Sequence, residues 1–280
     1  SAWQCIVFGG NYYHGTDESF WVALATDSNQ MIYSKGSNKA KDWDKTKNIS
    51  GGWQSITFSN TLDLYVAVGD AGAVMYGNDP RVQFTSTSTG VPTADYKGVA
   101  YGDGKFVAVA EGIVMISYDG ITWEQITEGV TDNSNTCVAW GKDKFVALAQ
   151  NGSNRAMWSL TGGPNRYPYS YSWSCIGWGG TTTGQTDANG NPIEGYFTAL
   201  ASNGLQENEN PDMNVARSFD GVNWEAVPES QLPPAKWNAI AWGPYSGQYY
   251  TKSWIAINDG NVPNYGTDGG RSNAIMYSTD

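Results

Sequence analysis

The sequence predicts an all-β fold: a six-bladed β-propeller of mostly four-stranded antiparallel blades, built by residues 1–280 as a single domain. Two observations predict it. Three short strand-like motifs recur six times in the same order, in units that begin near residues 3, 53, 96, 135, 173 and 237. In the clearest units a tight turn and a fourth strand follow. Four strands in a repeat of roughly 40–50 residues are typical of a propeller blade.

The first motif reads aromatic-x-small-Ile/Val-small-aromatic-Gly, with small departures. It occurs as WQCIVFG (3–9), WQSITFS (53–59), YKGVAYG (96–102), NTCVAWG (135–141), WSCIGWG (173–179) and WNAIAWG (237–243). Alternation along a strand places its small residues on one face and its large residues on the other, which suits sheets that stack around an axis. Cys5, Cys137 and Cys175 share one repeat position, so we predict small buried side chains rather than disulfides or metal ligands.

The second motif carries one alanine that all six units share. The six residues are Ala23, Ala67, Ala108, Ala147, Ala199 and Ala256. The third motif is short and ends in Ser or Gly, as in MYG, MIS and MYS. All three motifs are rich in β-branched and aromatic residues and are bounded by turn formers, which indicates strands. The last third motif ends at Ser278 and only Thr279 and Asp280 follow it, so the last blade is expected to lack its outer strand or to receive it from another chain.

Two turns after the third motif share the pattern Ser-x-Asp-Gly-x-x-Trp. Their defining residues are Ser117, Asp119 and Trp123, and Ser218, Asp220 and Trp224. The pattern resembles a shortened Asp-box of sialidase-type (BNR-like) propellers, and the whole repeat looks like those of phage and bacterial binding propellers. The resemblance implies a structural role, in which Ser and Asp bind turn amides and Trp packs beneath. It informs the fold and not the chemistry.

The charge balance excludes several classes of partner. The formal net charge is −11 and the isoelectric point is about 4.5. Binding to nucleic acid or to an anionic membrane depends on clustered Lys and Arg, so neither partner is expected. No apolar run approaches the length of a membrane span, so membrane insertion is not expected either.

Long loops offer the best candidates for a ligand site, because loops on a rigid scaffold usually carry function. The connections between the first and second motifs contain Tyr12, Tyr13, His14, Asp17, Tyr245, Tyr249 and Tyr250, and those between the second and third contain Asn261 and Tyr265. Exposed rings beside polar side chains suit sugars. The two groups would lie on opposite rims and compete as sites, and packing of ordinary surface tyrosines is the alternative to both.

One loop resembles a calcium loop. Asp187, Asn189, Asn191 and Glu194 place oxygen-bearing side chains at near-alternate positions. The alternative is a hairpin tip built on Asn189-Gly190. No other cofactor is expected. His14 is the one histidine, and a lone histidine favours a surface role over acid–base catalysis.

The sequence favours a non-enzymatic binding or structural propeller. The first reading is a receptor-recognition protein such as a phage tail fibre or a bacterial lectin-like propeller. It would bind a glycan or protein receptor, contact other virion subunits and act at a virion or extracellular surface. The second is a capsid or tail decoration, or an assembly-factor scaffold, without a ligand. The third, a sialidase-like glycoside hydrolase, is disfavoured because five scattered arginines do not form a carboxylate-binding cluster.

Overall fold

The computed structural model describes residues 3–11, 18–26, 30–35, 42–46, 50–126, 134–150, 156–158, 173–179, 195–201, 215–227, 237–244, 252–258 and 275–278. Strands dominate these ranges and form six antiparallel sheets, each with its strands in chain order. A short 3-10 turn, Asp70–Gly72, connects the second and third strands of the second sheet. Within the same ranges no helix is long and apolar enough to cross a membrane.

Each sheet begins with one copy of the first sequence motif, which forms its inner strand. The first sheet contains β1 (Trp3–Asn11), β2 (Glu18–Ala25), β3 (Met31–Lys35) and β4 (Asp44–Lys45), and the second contains β5 (Trp53–Ser59), β6 (Leu64–Gly69), β7 (Val74–Gly77) and β8 (Thr85–Thr87). The third contains β9 (Gly98–Gly102), β10 (Lys105–Ala110), β11 (Ile113–Ser117) and β12 (Glu124–Ile126), and the fourth contains β13 (Asn135–Gly141), β14 (Lys144–Ala149) and β15 (Ala156–Trp158). The fifth contains β16 (Trp173–Gly179), β17 (Tyr196–Ala201), β18 (Val215–Ser218) and β19 (Glu225–Ala226), and the sixth contains β20 (Trp237–Pro244), β21 (Lys252–Asn258) and β22 (Ile275–Ser278).

The predicted number of blades is wrong. Among the described residues four sheets have four strands, and the fourth and sixth sheets have three. The structure therefore has four complete blades, not six. The reason is that few residues define an outer strand. β4 pairs with β3 through only two residues, and β19 pairs with β18 through only two. After β15 the sequence continues Ser159-Leu-Thr-Gly162, without the aspartate of the Ser-x-Asp-Gly turn.

The inner strands form a closed ring. β1 contacts β5, β5 contacts β9, and the series continues through β13, β16 and β20, which returns to β1. A hydrogen bond supports the closure, because Asn238 Nδ2 donates to the backbone oxygen of Trp3 at 3.3 Å. The ring thus joins the two ends of the described chain around one axis.

Neighbouring sheets pack large against small, as the alternation of the first motif predicts. The glycine that ends an inner strand receives the aromatic ring of the next inner strand, for example Trp178 over Gly141. The other pairs of this kind are Gly9 with Phe58, Gly102 with Trp140, and Gly179 with Trp242. The six shared alanines of the second strands are all buried. Close contact between sheets therefore requires the small residues that the repeat conserves within this chain.

Candidate functional site

Five inner strands share an irregularity at their second residue. The register of β1 with β2 shifts between Trp3 and Cys5, and β5, β13, β16 and β20 shift at the equivalent place. β9 differs, since it begins at Gly98 and Lys97 precedes it. A bulge of this kind redirects a side chain out of the alternating pattern. The residue at this position is polar in every repeat: Gln4, Gln54, Lys97, Thr136, Ser174 and Asn238. We call these six residues the polar ring.

The polar ring lines a cavity of about 720 Å³ on the axis of the ring of inner strands, which we call the central pocket. The pocket lies at the end where the inner strands begin. Its wall comes from the segment 93–95 before β9, from Glu111 between β10 and β11, and from Gln150 after β14. Connections between second and third strands emerge at this same end. The volume is within the usual range for small-molecule sites.

One side of the pocket carries a charged cluster. Lys97 Nζ lies 2.9 Å from Asp70 Oδ1, and Gln54 Nε2 donates to both Asp70 oxygens at 3.1 and 3.2 Å. Asp95 Oδ1 accepts a hydrogen bond from the backbone amide of Ala71 at 2.9 Å. Ala71 has a φ of 55°, a conformation that costs a non-glycine residue about 1–2 kcal/mol. The hydrogen bond from Ala71 therefore helps to hold a strained turn beside the pocket.

The two ring members that follow Lys97 in chain order are neutral and donate to backbone carbonyls. Thr136 Oγ1 donates to the backbone oxygen of Trp173 in the next sheet at 2.6 Å, and Ser174 Oγ donates to that of Leu200 at 3.0 Å. Asn135 Nδ2 donates to the backbone oxygen of Ala110 at 3.3 Å. Because their donors are engaged, the hydroxyl oxygens can act toward a ligand as acceptors. These two members of the polar ring are thus held in place before any ligand arrives.

Beneath the polar ring the axis narrows to a cavity of about 80 Å³, whose lining includes Cys5, Cys137 and Cys175. All three cysteines are buried and free, which confirms the prediction of small buried side chains. Desolvation raises the pKa of the Cys137 thiol to about 12, and it also raises the pKa values of the Cys5 and Cys175 thiols far above the usual value. The thiols are therefore protonated and are poor nucleophiles or metal ligands. The described part of the chain contains no group of three side chains suited to a metal ion.

The two Ser-x-Asp-Gly turns lie at the opposite end of the sheets, where third strands pass into outer strands. In the turn after β18, Asp220 Oδ1 accepts from the backbone amides of Val222 at 2.8 Å and Asn223 at 2.7 Å. Ser218 Oγ donates to Asp220 Oδ1 at 3.0 Å and accepts from the amide of Gly221 at 2.9 Å. The turn after β11 repeats this arrangement, because Asp119 Oδ1 accepts from the backbone amides of Ile121 and Thr122. Ser117 Oγ donates to Asp119 Oδ1 and accepts from the amide of Gly120. The tryptophan that ends the pattern is buried in this turn (Trp123) and half-buried in the other (Trp224).

The carboxylates of both turns are charged at neutral pH. Desolvation raises the pKa of Asp220, but hydrogen bonds from Asn223 and Val222 outweigh it, and the net effect is a pKa below the usual value. The pKa of Asp119 is lowered in the same way by Thr122 and Ile121. Neither carboxylate lines the central pocket. The hydrogen bonds give both of them a role in the stability of the turn.

The sequence-predicted ligand residues fall outside the part of the chain that the structure describes. This holds for Tyr12, Tyr13, His14, Asp17, Tyr245, Tyr249, Tyr250, Asn261 and Tyr265, and for the calcium candidates Asp187, Asn189, Asn191 and Glu194. Sequence reasoning also missed the central pocket. A signal was present, because the unassigned second position of the first motif is polar in all six repeats of an otherwise apolar strand.

Comparisons with known proteins agree on the fold. No protein-family model matches the sequence, and no curated protein matches it at a significant level. Among solved structures, a streptogramin B lyase superposes with a TM-score of 0.60 at 9% identity, over 99% of this chain and 82% of the lyase. YCF48 bound to a D1 peptide gives 0.52 at 12% identity, over 92% and 74%. A GH74 enzyme of Niastella koreensis gives 0.50 at 16% identity, over 92% of this chain and 35% of the enzyme. At these identities the likeness shows that the chain has a β-propeller fold, and it shows nothing of its activity.

Proposed function

We propose that this chain is a non-enzymatic binding protein that holds a glycan in the central pocket. The observation that carries the proposal is the polar ring, in which each of the six repeats contributes one amide, hydroxyl or ammonium group to the same cavity. A sugar offers both donors and acceptors, and Gln and Asn amides complement both. An apolar ligand would leave these groups buried and unpaired, which is costly.

Several of these groups retain hydrogen-bonding capacity for a ligand. The Gln4 side chain has no hydrogen-bond partner among the described residues, and the described bonds of Gln54 and Asn238 use only their amide nitrogens. Gln54 is nevertheless positioned by Asp70, and Asn238 by the carbonyl of Trp3. A ligand would therefore meet side chains whose conformational freedom is already reduced, which lowers the entropic cost of binding.

The charged groups support binding over hydrolysis of an anionic sugar. Sialidase-type chemistry needs arginines around the substrate carboxylate. The two arginines whose ion pairs the structure describes lie away from the pocket, where Arg81 pairs with Asp79 and Arg217 pairs with Glu225. Lys97, the one cation in the described lining, is already paired with Asp70. The described lining thus offers no arginine to a substrate carboxylate, which supports binding over sialidase-type hydrolysis.

A scaffold without a small ligand is the second candidate, and one observation favours it. β15 and β22 are edge strands of their sheets among the described residues. An edge strand can pair with a strand of another chain. A virion or cell-surface setting fits either candidate, and it rests on the resemblance of the repeats to those of phage and bacterial binding propellers.

Screening the intact chain on a glycan array, followed by calorimetry with the strongest hit, tests the proposal. Gln4→Ala should weaken binding about threefold to tenfold, as expected for the loss of one or two hydrogen bonds. Gln125→Ala is the matched control, because Gln125 is an exposed residue of β12. It should bind as the unaltered chain does.

A second variant separates the central pocket from the tyrosine-rich loops. Replacing Tyr12, Tyr245 and Tyr249 together with alanine should leave affinity unchanged if the ligand occupies the central pocket. Affinity that is lost in this variant and retained in Gln4→Ala would move the site to the loops. Absence of binding to any glycan would favour the scaffold.

A further inference from the structure

We infer that the central pocket selects its ligand by charge and prefers an amine-bearing oligosaccharide over neutral and anionic analogues. This inference rests on the proposed function and names the class of glycan that the site would take. It starts from the uneven distribution of charge around the cavity. The neutral members of the polar ring supply hydrogen bonds, and the wall beside Lys97 supplies the charge.

The positive charge in the described lining is already neutralised. Lys97 Nζ contacts Asp70 Oδ1 at 2.9 Å, and Gln54 Nε2 donates hydrogen bonds to both oxygens of the same carboxylate. No other Lys or Arg lines the described part of the pocket. An anionic ligand would have to compete with Asp70 for the Lys97 ammonium group, and it would meet uncompensated negative charge nearby.

Two carboxylates of the pocket wall have no ion pair with any residue that the structure describes. Asp95 accepts a hydrogen bond from the amide of Ala71, which does not cancel its charge, and Glu111 has no ion-pair partner among the described residues. Both are exposed side chains of the pocket wall, on the segment before β9 and in the connection between β10 and β11. They stand around the same cavity as the polar ring, so a sugar held by the ring would place its substituents near them.

The size of the effect follows from Coulomb's law in a solvated site. Two unit charges about 6 Å apart in water-like surroundings attract by about 0.7 kcal/mol, and two carboxylates acting together give about a fivefold to tenfold preference. Because exposed charges are screened, the preference should fall steeply when the ionic strength is raised. The net charge of −11 adds a weaker attraction of the same sign.

Calorimetry with three tetrasaccharides that differ in charge tests the inference. The probes are a glucosamine tetramer, an N-acetylglucosamine tetramer and a galacturonic acid tetramer, each measured in about 20 mM and about 500 mM salt. We expect the glucosamine tetramer to bind about fivefold more tightly than the neutral tetramer at low salt, the difference to vanish at high salt, and the acidic tetramer to bind weakest.

Charge-neutralising variants assign the preference to the pocket. Glu111→Gln combined with Asp95→Asn should abolish the preference for the amine over the neutral tetramer, because both substitutions remove a charge and keep a side chain that can accept hydrogen bonds. Glu124→Gln combined with Asp103→Asn removes the same total charge away from the pocket and should retain it. Equal binding of the neutral and amine-bearing tetramers by the unaltered chain would overturn this inference and leave the proposed function standing. Failure of all three probes to bind would overturn this inference, whereas the proposed function is decided by the glycan array.

Discussion

Replacing Asp220 with alanine should lower the free energy of unfolding by about 2 kcal/mol. The Asp220 carboxylate accepts from the amides of Val222 and Asn223 at 2.8 and 2.7 Å, and the variant leaves both amides to water. Bonds to a buried charged acceptor contribute about 1.5–3 kcal/mol each, and partial exposure of this carboxylate reduces that to about 1 kcal/mol each. The turn also fixes Gly221 against Val146 of the preceding sheet, so its loss loosens a contact between sheets.

The contribution of Asp220 to the free energy of unfolding should decrease at low pH. The folded state lowers the pKa of this carboxyl, so its stabilising contribution is complete above the unfolded pKa of about 3.9. The contribution is lost as the pH falls from there through the lower folded pKa, because the protonated acid accepts hydrogen bonds weakly. The difference between the unaltered chain and Asp220→Ala should therefore be constant from pH 5 to 8 and should narrow below about pH 4.

Urea denaturation followed by tryptophan fluorescence measures this difference. For a chain of 280 residues, about 2 kcal/mol corresponds to a fall of about 3–4 °C in the midpoint of thermal unfolding, which calorimetry can check. Glu124→Ala is the control, because Glu124 is an exposed acid of β12. The reasoning is refuted if Asp220→Ala unfolds at the midpoint of the control, or if the difference persists unchanged when the carboxyl is protonated.

Two further predictions concern packing around the axis. The three buried thiols should not react with an aromatic disulfide reagent at pH 8 in the native state, because desolvation keeps their pKa values high, and all three should react in urea. Prompt reaction of even one thiol in the native state would show that the small cavity below the polar ring is open to solvent. Gly141→Ala should cost about 1–3 kcal/mol in urea denaturation, because the new methyl group would overlap the Trp178 ring. Gly112→Ala, where a Cβ meets open space at a φ of 64°, should cost only about 1 kcal/mol, and equal costs would contradict the packing argument.

The inner three strands of each unit could be predicted from the sequence, because their pattern is dictated by packing. Ala199 and its equivalents are all buried, so a larger side chain there would overpack the core, and Gly141 must leave room for Trp178. Such constraints recur in each repeat and are therefore visible as a motif. The outer strands are different, since β4 and β19 make only two residue pairs each, and both residues of β4 are exposed. Little in their sequence is constrained, so the expected number of complete blades was wrong.

The site was harder to predict than the fold, for a related reason. The tyrosine-rich loops were predicted as ligand sites because they are insertions in the repeat, whereas the polar ring is part of the repeat itself. Gln4 and Thr136 differ in size and chemistry, so they look variable when the units are compared by residue type. Only the bulge shows that they share a direction toward the axis. A polar residue at a fixed position in an apolar strand was the signal that the sequence offered.

The position of the polar ring also explains why incomplete outer strands need not affect the central pocket. Its members lie in the first strand of five sheets and directly before the first strand of the third, and the ring of first strands closes through contact of β20 with β1. Outer strands lie at the far edge of each sheet, three strands away from the axis. The fourth sheet has only three strands among the described residues, yet its Thr136 still donates to Trp173 of the fifth sheet at 2.6 Å. The sheets can therefore differ in their outer strands while the polar ring around the axis stays the same. A substitution in the outer turns should lower stability and leave ligand affinity unchanged.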